Sequence, residues 1–381
     1  MGIKVIIVGP AHPLRGGGMA TFNERMAYAF QEQGDEVEIV TFSLQYPSFL
    51  FPGKSQYTDE PAPPGLSIKS LINSVNPLSW IKAGNYIRHQ APDLVIFRFW
   101  LPFMGPSLGT IARIIKLNRY SRIVAITDNV VPHEKRPGDK PFTSYFLRAC
   151  HSFVTMSRAV LEDLKLFEPT KPSKYLPHPL YDNFGQSETK EEACKALGLD
   201  PSFKYILFFG FIRAYKGLDL LLKAMADERL RQLPDLKLIV AGEFYEAAAP
   251  YQEIIENYKL QDRLILRTDF IPNAEVQHYF CAADLVVQPY KHATQSGVTQ
   301  VAYHFDKPMV LTNVGGLAEL VPDGEVGYVV EPEPGAIASA IANFYASGNA
   351  ALFSENVRNL KQMFGWDKFV QEVKELASRK K

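Results

Sequence analysis

The sequence has few cysteines and no excess of charge of either sign. Its three cysteines, Cys150, Cys194 and Cys281, lie far apart and match no metal-ligand or redox spacing. Lys and Arg together number 41, and so do Asp and Glu. Scattered cysteines are typical of a reducing cytoplasm, and zero net charge gives no field that would attract nucleic acid. The composition therefore predicts a cytoplasmic protein with no nucleic-acid partner and no cysteine-bound metal.

The sequence also lacks a long uninterrupted apolar run. Its most hydrophobic window, residues 94–112, contains Arg98 together with several prolines and glycines. An arginine at the centre of a membrane-spanning helix costs about 2.5–3.5 kcal/mol on the insertion scale. The first residues, MGIKVIIVGP, have the pattern of a strand and a turn rather than of a signal peptide. We therefore expect neither a membrane span nor secretion.

Short apolar segments instead alternate with amphipathic helical patterns along the whole chain of 381 residues. This length suits two domains, and the alternation is typical of doubly wound parallel sheets. A proline-rich stretch at 169–184 marks the boundary, so we expect two similar α/β halves around one cleft, formed by residues 1–178 and 179–364. The predicted strands are residues 4–8, 36–42, 93–97, 123–127 and 152–156 in the first half, and 205–209, 236–241, 264–267, 285–288, 309–312 and 327–330 in the second.

The stretch YILFFGFIRAYKGLDLLLKAM, residues 205–225, combines a buried strand, a glycine-bounded loop and a helix. The loop carries Arg213 and Lys216. In open α/β sheets such a loop lies at the carboxyl edge where ligands bind, and the following helix presents free N–H groups. Two cations there suit a phosphate, although a solvated surface turn would have the same pattern.

Three further loops follow strands in the same way. The first strand leads into GPAHPLRGGG, whose glycines lack the GxGxxG dinucleotide spacing but allow close approach of a ligand to the backbone; a simple flexible turn is the alternative. In the second half a polar segment begins a helix and offers hydroxyl and N–H donors to an anion. A glycine turn follows the next strand. The residues of these two second-half sites are Thr294, Gln295, Ser296, Gly297 and Val298, and then Gly315, Gly316 and Glu319.

Taken together, these motifs resemble the retaining glycosyltransferases of the GT-B fold, in the group 1 (family 4) set. The segments that carry the resemblance are the glycine loop, GFIRAYKGLDLLL, ADLVVQPY and GGLAELVPDGEVGYVV. The resemblance implies two Rossmann-like domains facing a cleft, with the C-terminal helix, residues 365–381, packed back on the first domain. It also implies a UDP- or GDP-sugar as donor and no cofactor. By this resemblance Arg213 and Lys216 hold the donor diphosphate, and Gly17 and Gly18 face it.

The sequence departs from that family at two places. Most relatives have two glutamates eight positions apart, and the matching positions here are near Ala293 and Val301, neither of them acidic. The ATQSGV form resembles a subset of the family, in which Thr294, Gln295 and Ser296 would contact the donor instead; Gln300 is a weak candidate for the ribose. Many relatives also have a histidine near the transferred sugar. Here Asp128 takes the aligned position, with His133 as an alternative.

The resemblance implies transfer with retention, and the absence of any Asp-x-Asp pair agrees with a metal-independent route. The expected acceptor is a glycan or a lipid-linked glycan. Residues 110–122 have a helical pattern in which basic side chains lie beside apolar ones, so this helix either lies on the inner face of the membrane or packs on the sheet with a solvated basic face. Two other functions stay open. One is a sugar-nucleotide epimerase or phosphorylase on the same fold, and the other is a catalytically silent sugar-nucleotide binder.

Overall fold

The structure is a computed structural model, and it describes residues 2–15, 18–47, 55–131, 137–293 and 296–378. The chain divides into two compact units. The N-terminal unit consists of residues 1–179 together with 365–381, and the C-terminal unit consists of residues 180–364.

The N-terminal unit is built on a parallel sheet with the strand order β3-β2-β1-β4-β5-β6-β7. From β1 the chain adds β2 and β3 on one side of the sheet and then β4 to β7 on the other. The pair β1 and β4 is therefore the topological switch point. The strands are β1 Lys4–Val8, β2 Glu36–Leu44, β3 Ser67–Asn73, β4 Leu94–Phe99, β5 Arg122–Thr127, β6 Ser152–Thr155 and β7 Ser173–Tyr175. The helices of this unit are α1 Gly18–Glu32, α2 Pro77–Gln90, α3 Gly105–Lys116, α4 Asp139–Leu147, α5 Arg158–Lys165 and, from the end of the chain, α14 Trp366–Ser378.

The C-terminal unit repeats this architecture with the strand order β10-β9-β8-β11-β12-β13, again all parallel. Its switch point lies between β8 and β11. The strands are β8 Lys204–Phe209, β9 Leu236–Ala241, β10 Leu264–Arg267, β11 Leu285–Gln288, β12 Met309–Thr312 and β13 Gly327–Val330. The helices are α6 Lys190–Leu197, α7 Leu218–Met225, α8 Glu228–Arg231, α9 Ala249–Tyr258, α10 Val276–Ala282, α11 Gly297–His304, α12 Pro334–Ser347 and α13 Ala350–Leu360.

Helices cover both faces of each sheet, and the central strands are therefore apolar at consecutive positions. In β1, for example, Val5, Ile6, Ile7 and Val8 are all fully buried. Each unit has its own hydrophobic core, formed by the strand residues and the helix faces packed on them. The predicted fold class, two Rossmann-like α/β domains with parallel sheets, is confirmed.

The helix predicted over residues 110–122 has the wrong bounds. Helix α3 begins earlier, at Gly105, and ends at Lys116. Arg119 has a φ of 55°, which is incompatible with a continuing right-handed helix, and Arg122 is already the first residue of β5. The basic side chains of this segment therefore do not lie along one helical face. In the part of the chain that the structure describes, no helix is long and apolar enough to cross a membrane.

Candidate functional site

Two loops leave the carboxyl ends of β8 and β11, the neighbouring strands at the switch point of the C-terminal unit. These are residues 210–217, the Arg213 and Lys216 loop, and residues 289–296. Crevices of this kind at the carboxyl edge are where open α/β sheets bind ligands. Three loops were predicted as ligand sites in the second half of the sequence. The fold brings two of them to the same edge of the sheet.

The two loops are pressed against each other. The backbone N–H of Lys291 donates a hydrogen bond to the carbonyl oxygen of Tyr215 at 2.7 Å. Gly217 has a φ of +69°, and a Cβ atom on it would lie 1.8 Å from the carbonyl oxygen of Pro289. Lys291 also forms an ion pair with Asp219 at the start of α7, with 2.8 Å between Nζ and Oδ1. The first loop thus has a fixed position relative to the second.

Lys216 and Arg213 extend from this junction. A Cβ atom on Gly210 would lie 3.0 Å from Lys216 Nζ, so glycine leaves the space that the ammonium group occupies. Burial and, to a smaller extent, the positive charge of Arg213 together lower the pKa of Lys216 to about 8. The Arg213 guanidinium lies 5.1 Å from the centre of the Tyr245 ring. Among the described residues neither cation forms an ion pair, so both charges are available to an anionic ligand.

The polar segment before α11 is only partly described, because Thr294 and Gln295 lie outside the described residues. Ser296 is the N-cap of α11, and its hydroxyl accepts a hydrogen bond from the N–H of Val298 at 3.2 Å. The same hydroxyl lies 3.2 Å from the Tyr290 hydroxyl. The side chain of Ser296 is therefore occupied by the protein itself. Gly297 contacts the Tyr181 ring so closely that a Cβ would be 2.6 Å away from it.

Of three other residues named from the sequence, the structure describes two, and these lie in less favourable places. Gln300, the weak ribose candidate, is completely buried, and neither polar atom of its side chain has a partner among the described residues. Glu319 is exposed in a short 3₁₀ turn, residues 318–320, after β12. His133 lies outside the described residues. None of the three therefore adds a described contact at the switch point.

Next to the switch point of the N-terminal unit, Asp128 directly follows β5, the neighbour of β4. Its carboxylate accepts two hydrogen bonds from Arg98 on β4, at 2.5 Å from Nε and 2.6 Å from Nη2. The Arg98 side chain is 3% exposed. Sequence reasoning did not find Arg98 as a functional residue. The available signal is a single charge inside the otherwise apolar strand LVIFRF.

The glycine loop after β1 lies beside this ion pair. A Cβ atom on Gly9 would lie 2.7 Å from Asn23 Nδ2 and 3.0 Å from Arg98 Cβ, so the backbone passes close to both side chains. Gly18 is the first residue of α1, whereas Gly17 lies outside the described residues. Glu24 on α1 accepts the backbone N–H of His12 at 2.8 Å. Burial raises the pKa of the Glu24 carboxyl to about 7.

The two units carry opposite charge although the whole chain is neutral. Residues 1–179 and 365–381 contain 25 Lys and Arg against 17 Asp and Glu, a formal charge of +8. Residues 180–364 contain 16 against 24, a formal charge of −8. Arg213 and Lys216 therefore lie in a unit of net negative charge, and neither has a carboxylate partner among the described residues. Within the described ranges, no cluster of three or more His, Cys, Asp or Glu side chains could hold a metal ion.

Residues 203–347 match the model of the family described as "Glycosyl transferases group 1". D-inositol 3-phosphate glycosyltransferase 2 of Catenulispora acidiphila is 29% identical over 221 residues, which cover 56% of this chain and 51% of that protein. The lipopolysaccharide core biosynthesis mannosyltransferase LpsB of Rhizobium meliloti is 33% identical over 150 residues, covering 37% of this chain and 41% of that protein. The chain thus spans about half the length, or less, of these two curated relatives.

Among solved structures, Anabaena Alr3699/HepE in complex with UDP superposes with a TM-score of 0.73 at 16% identity, covering 99% of this chain and 100% of that one. At this identity the likeness shows the fold, which is of the GT-B type. The predicted resemblance to group 1 glycosyltransferases is confirmed for residues 203–347.

Proposed function

We propose that the protein is a glycosyltransferase that moves a sugar from a UDP- or GDP-sugar to a glycan or a lipid-linked glycan. The observation that carries this proposal is a pair of cations at the switch point of the C-terminal unit, Arg213 and Lys216, neither of which forms an ion pair with a described residue. The family match over residues 203–347 and the likeness to a UDP complex support it. The two curated relatives support a sugar-transfer reaction.

Arg213 and Lys216 bind the diphosphate of the donor and neutralise the negative charge that develops on it as the sugar leaves. A desolvated lysine and a planar guanidinium suit this role, because charge interactions strengthen where water is excluded. Two fixed cations can do this without a divalent ion, so we propose a metal-independent reaction. Its activity should persist in excess EDTA.

Transfer proceeds with retention in this proposal, as in the family that the motifs resemble. The departing phosphate accepts the proton of the acceptor hydroxyl, and no separate base on the protein is required. Asp128 contacts hydroxyl groups of the transferred sugar, with His133 as the alternative. The N–H groups of Gly17 and Gly18, and those at the start of α11, complete the donor contacts. Product NMR of the anomeric proton would test retention.

The acceptor side of the proposal includes contact with the inner face of the cytoplasmic membrane. Leu117 and Tyr120, in the turn after α3, are 65% and 57% exposed. Lys116 and Arg119 flank them and are also exposed. Apolar side chains beside cations favour the interface of an anionic bilayer, and the +8 charge of this unit acts in the same direction.

The experiment that tests the function is calorimetric binding of nucleoside diphosphates, followed by transfer assays with the corresponding sugars. Arg213→Ala and Lys216→Ala should each weaken binding at least tenfold, roughly the loss of one charge-assisted interaction. Lys223→Ala, an exposed lysine on α7, is the matched control and should bind normally. A new sugar isomer formed without acceptor would favour an epimerase, and binding with no turnover in any acceptor extract would favour a silent relative.

A further inference from the structure

A third loop of the C-terminal unit lies against the loop formed by residues 210–217. It consists of residues 242–248, which connect β9 to α9, and we call it the β9 loop. The N–H of Ile212 donates a hydrogen bond to the carbonyl oxygen of Glu243 at 2.8 Å. The N–H of Tyr245 donates in turn to the carbonyl oxygen of Ile212 at 3.0 Å. The backbones of the two loops are therefore paired at Ile212, directly before the cations.

The two cations lie at the ends of a 3₁₀ turn, residues 214–216. Arg213 directly precedes this turn, and Lys216 is its last residue. The N–H groups at the start of such a turn have no partner within it. Because a guanidinium has no acceptor atom, Arg213 cannot cap the turn as a serine or an aspartate would. The first N–H, that of Ala214, can therefore pair only with water or with a group outside the turn.

Glu246 in the β9 loop supplies the acceptor for this N–H. Its Oε2 atom accepts the N–H of Ala214 at 2.7 Å, and its Oε1 atom accepts the hydroxyl of Tyr251 on α9 at 2.5 Å. Tyr251 is buried. Burial and the hydrogen bond to Glu246 raise the pKa of Tyr251 above its ordinary value, so the phenol keeps the proton that it donates. Glu246 thus connects the start of the turn to a helix that is fixed by packing.

A carboxylate at this place has an electrostatic cost. Its negative charge repels a diphosphate bound nearby and so opposes binding. In the part of the chain that the structure describes, Glu246 forms no ion pair with Arg213 or Lys216. Its two oxygens instead accept hydrogen bonds from Ala214 and Tyr251. The contacts of Glu246 therefore fit a role in holding the backbone of the turn, and not in neutralising the cations.

We propose that Glu246 is a positioning residue, which fixes the turn between Arg213 and Lys216 so that both cations meet the diphosphate. This inference rests on the proposed function, in which these two cations bind the diphosphate of the donor. It adds a residue that acts on the ligand only through the backbone of Ala214. The gain in affinity from positioning exceeds the repulsion that the charge of Glu246 adds.

The test compares pyrophosphate affinity of Glu246→Gln and Glu246→Ala, measured by calorimetry at one near-neutral pH. Glutamine keeps an oxygen for the Ala214 N–H and an amide that can donate to the Tyr251 hydroxyl, but it has no charge. Glu246→Gln should therefore bind at least as tightly as the wild type. Glu246→Ala loses the contacts as well as the charge, and it should bind at least about fivefold more weakly, roughly the loss of one hydrogen bond to a charged group.

The direction of the change separates positioning from simple electrostatics. If Glu246 acted only through its charge, both variants would bind pyrophosphate more tightly than the wild type. That result, or wild-type affinity in Glu246→Ala, would overturn the proposal. Binding as weak in Glu246→Gln as in Glu246→Ala would also overturn it, because the charge itself would then be required.

Two further variants test the two contacts separately. Glu246→Asp keeps the charge but is too short to reach Ala214 and Tyr251 together, so it should also weaken binding. Tyr251→Phe removes the second contact, and its effect should be non-additive with that of Glu246→Ala. Glu253→Ala is the matched control, since Glu253 is an exposed carboxylate on α9, and it should not weaken binding. A wild-type protein that binds neither pyrophosphate nor any nucleoside diphosphate would refute the proposed function, and this inference with it.

Discussion

Gly217 and Pro289 are in contact through their backbones, because the glycine has no side chain. The φ of Gly217 is +69°, and a Cβ atom there would lie 1.8 Å from the Pro289 carbonyl oxygen. This contact joins the loop of Arg213 and Lys216 to the loop before α11 at the switch point. The positions of Arg213 and Lys216 therefore depend on Gly217, although Gly217 has no side chain that could contact a ligand.

We expect Gly217→Ala to weaken nucleoside diphosphate binding and to lower the melting temperature. A left-handed conformation costs a non-glycine residue about 1–2 kcal/mol, and the clash with Pro289 forces the two loops apart. Gly348→Ala is the matched control, since Gly348 has a φ of +67° but no atom within 4 Å of its Cβ position. Gly348→Ala should lower the free energy of unfolding through the same backbone conformation, and it should keep the wild-type affinity for nucleoside diphosphates. Equal affinity in both variants would show that the loop contact has no part in binding.

Affinity for a diphosphate should decrease as the pH rises past about 8. Burial lowers the pKa of Lys216 from 10.5 to about 8, so its charge is largely lost between these values in the folded protein. Between about pH 8 and pH 10.5 the unfolded chain holds more protons on Lys216 than the folded protein does. The contribution of Lys216 to the free energy of unfolding should therefore increase with pH in that range. Inorganic pyrophosphate avoids titration of the nucleobase, and its own loss of a proton in this range makes it more negative, which opposes the predicted decrease in affinity. Calorimetry at about pH 7 and about pH 9 should show weaker binding at the higher pH.

Lys216→Arg separates the charge from the other effects of alkaline pH. Arginine keeps its charge throughout this range, so the variant should show no loss of pyrophosphate affinity between the two pH values. A pH dependence as steep as that of the wild type would assign the effect to another group.

Glu24→Gln should remove a pH-dependent loss of stability. Burial raises the pKa of Glu24 from 4.5 to about 7. In that window the folded protein holds more protons on Glu24 than the unfolded chain does, so the stability that this carboxyl contributes is largest below pH 4.5 and falls as the pH rises to about 7. This shift in pKa corresponds to a change of about 3 kcal/mol in the free energy of unfolding across that pH range. Urea unfolding should show this slope in the wild type and in Glu32→Gln, an exposed site on the same helix. The same slope in Glu24→Gln would contradict the assignment.

The sequence predicts the central strands well, for a physical reason. Strands covered on both faces are continuous apolar runs, and the strand segments of the C-terminal unit lie where those runs are. β3 was not predicted, because it is an edge strand in which only Ile72 is fully buried. β7 has three half-buried residues and lies inside the proline-rich stretch that we interpreted as a boundary. Edge strands have no pattern strong enough to distinguish them from loops.

The candidate site is predicted unevenly. Arg213 and Lys216 could be named because both cations and the glycines around them lie within eight consecutive residues. Arg98 could not, because its partner Asp128 is thirty positions away and only the pairing of β4 with β5 brings them together. A local pattern cannot show a contact that depends on strand order. The same limitation hid the contact between Gly217 and Pro289.

The turn after α3 gives a last prediction, about anionic lipid surfaces. Leu117 and Tyr120 are exposed there, and each directly follows a cation, Lys116 or Arg119. Each cation near such a surface contributes about 1 kcal/mol, and the contribution falls with salt. We therefore expect the wild type to co-sediment with vesicles that contain anionic lipid, less so at high salt, and not with neutral vesicles.

The double variant Leu117→Ser, Tyr120→Ser should reduce the bound fraction several-fold, because it removes the apolar part of the contact while leaving both cations in place. Leu352→Ser is the matched control, since Leu352 is also an exposed leucine, at 52%, on the acidic C-terminal unit. It should bind as the wild type does. If the double variant and the control bind equally, the turn is not the contact surface. If the wild type fails to bind anionic vesicles at low salt, the proposed membrane contact is wrong, and the acceptor must reach the enzyme without it.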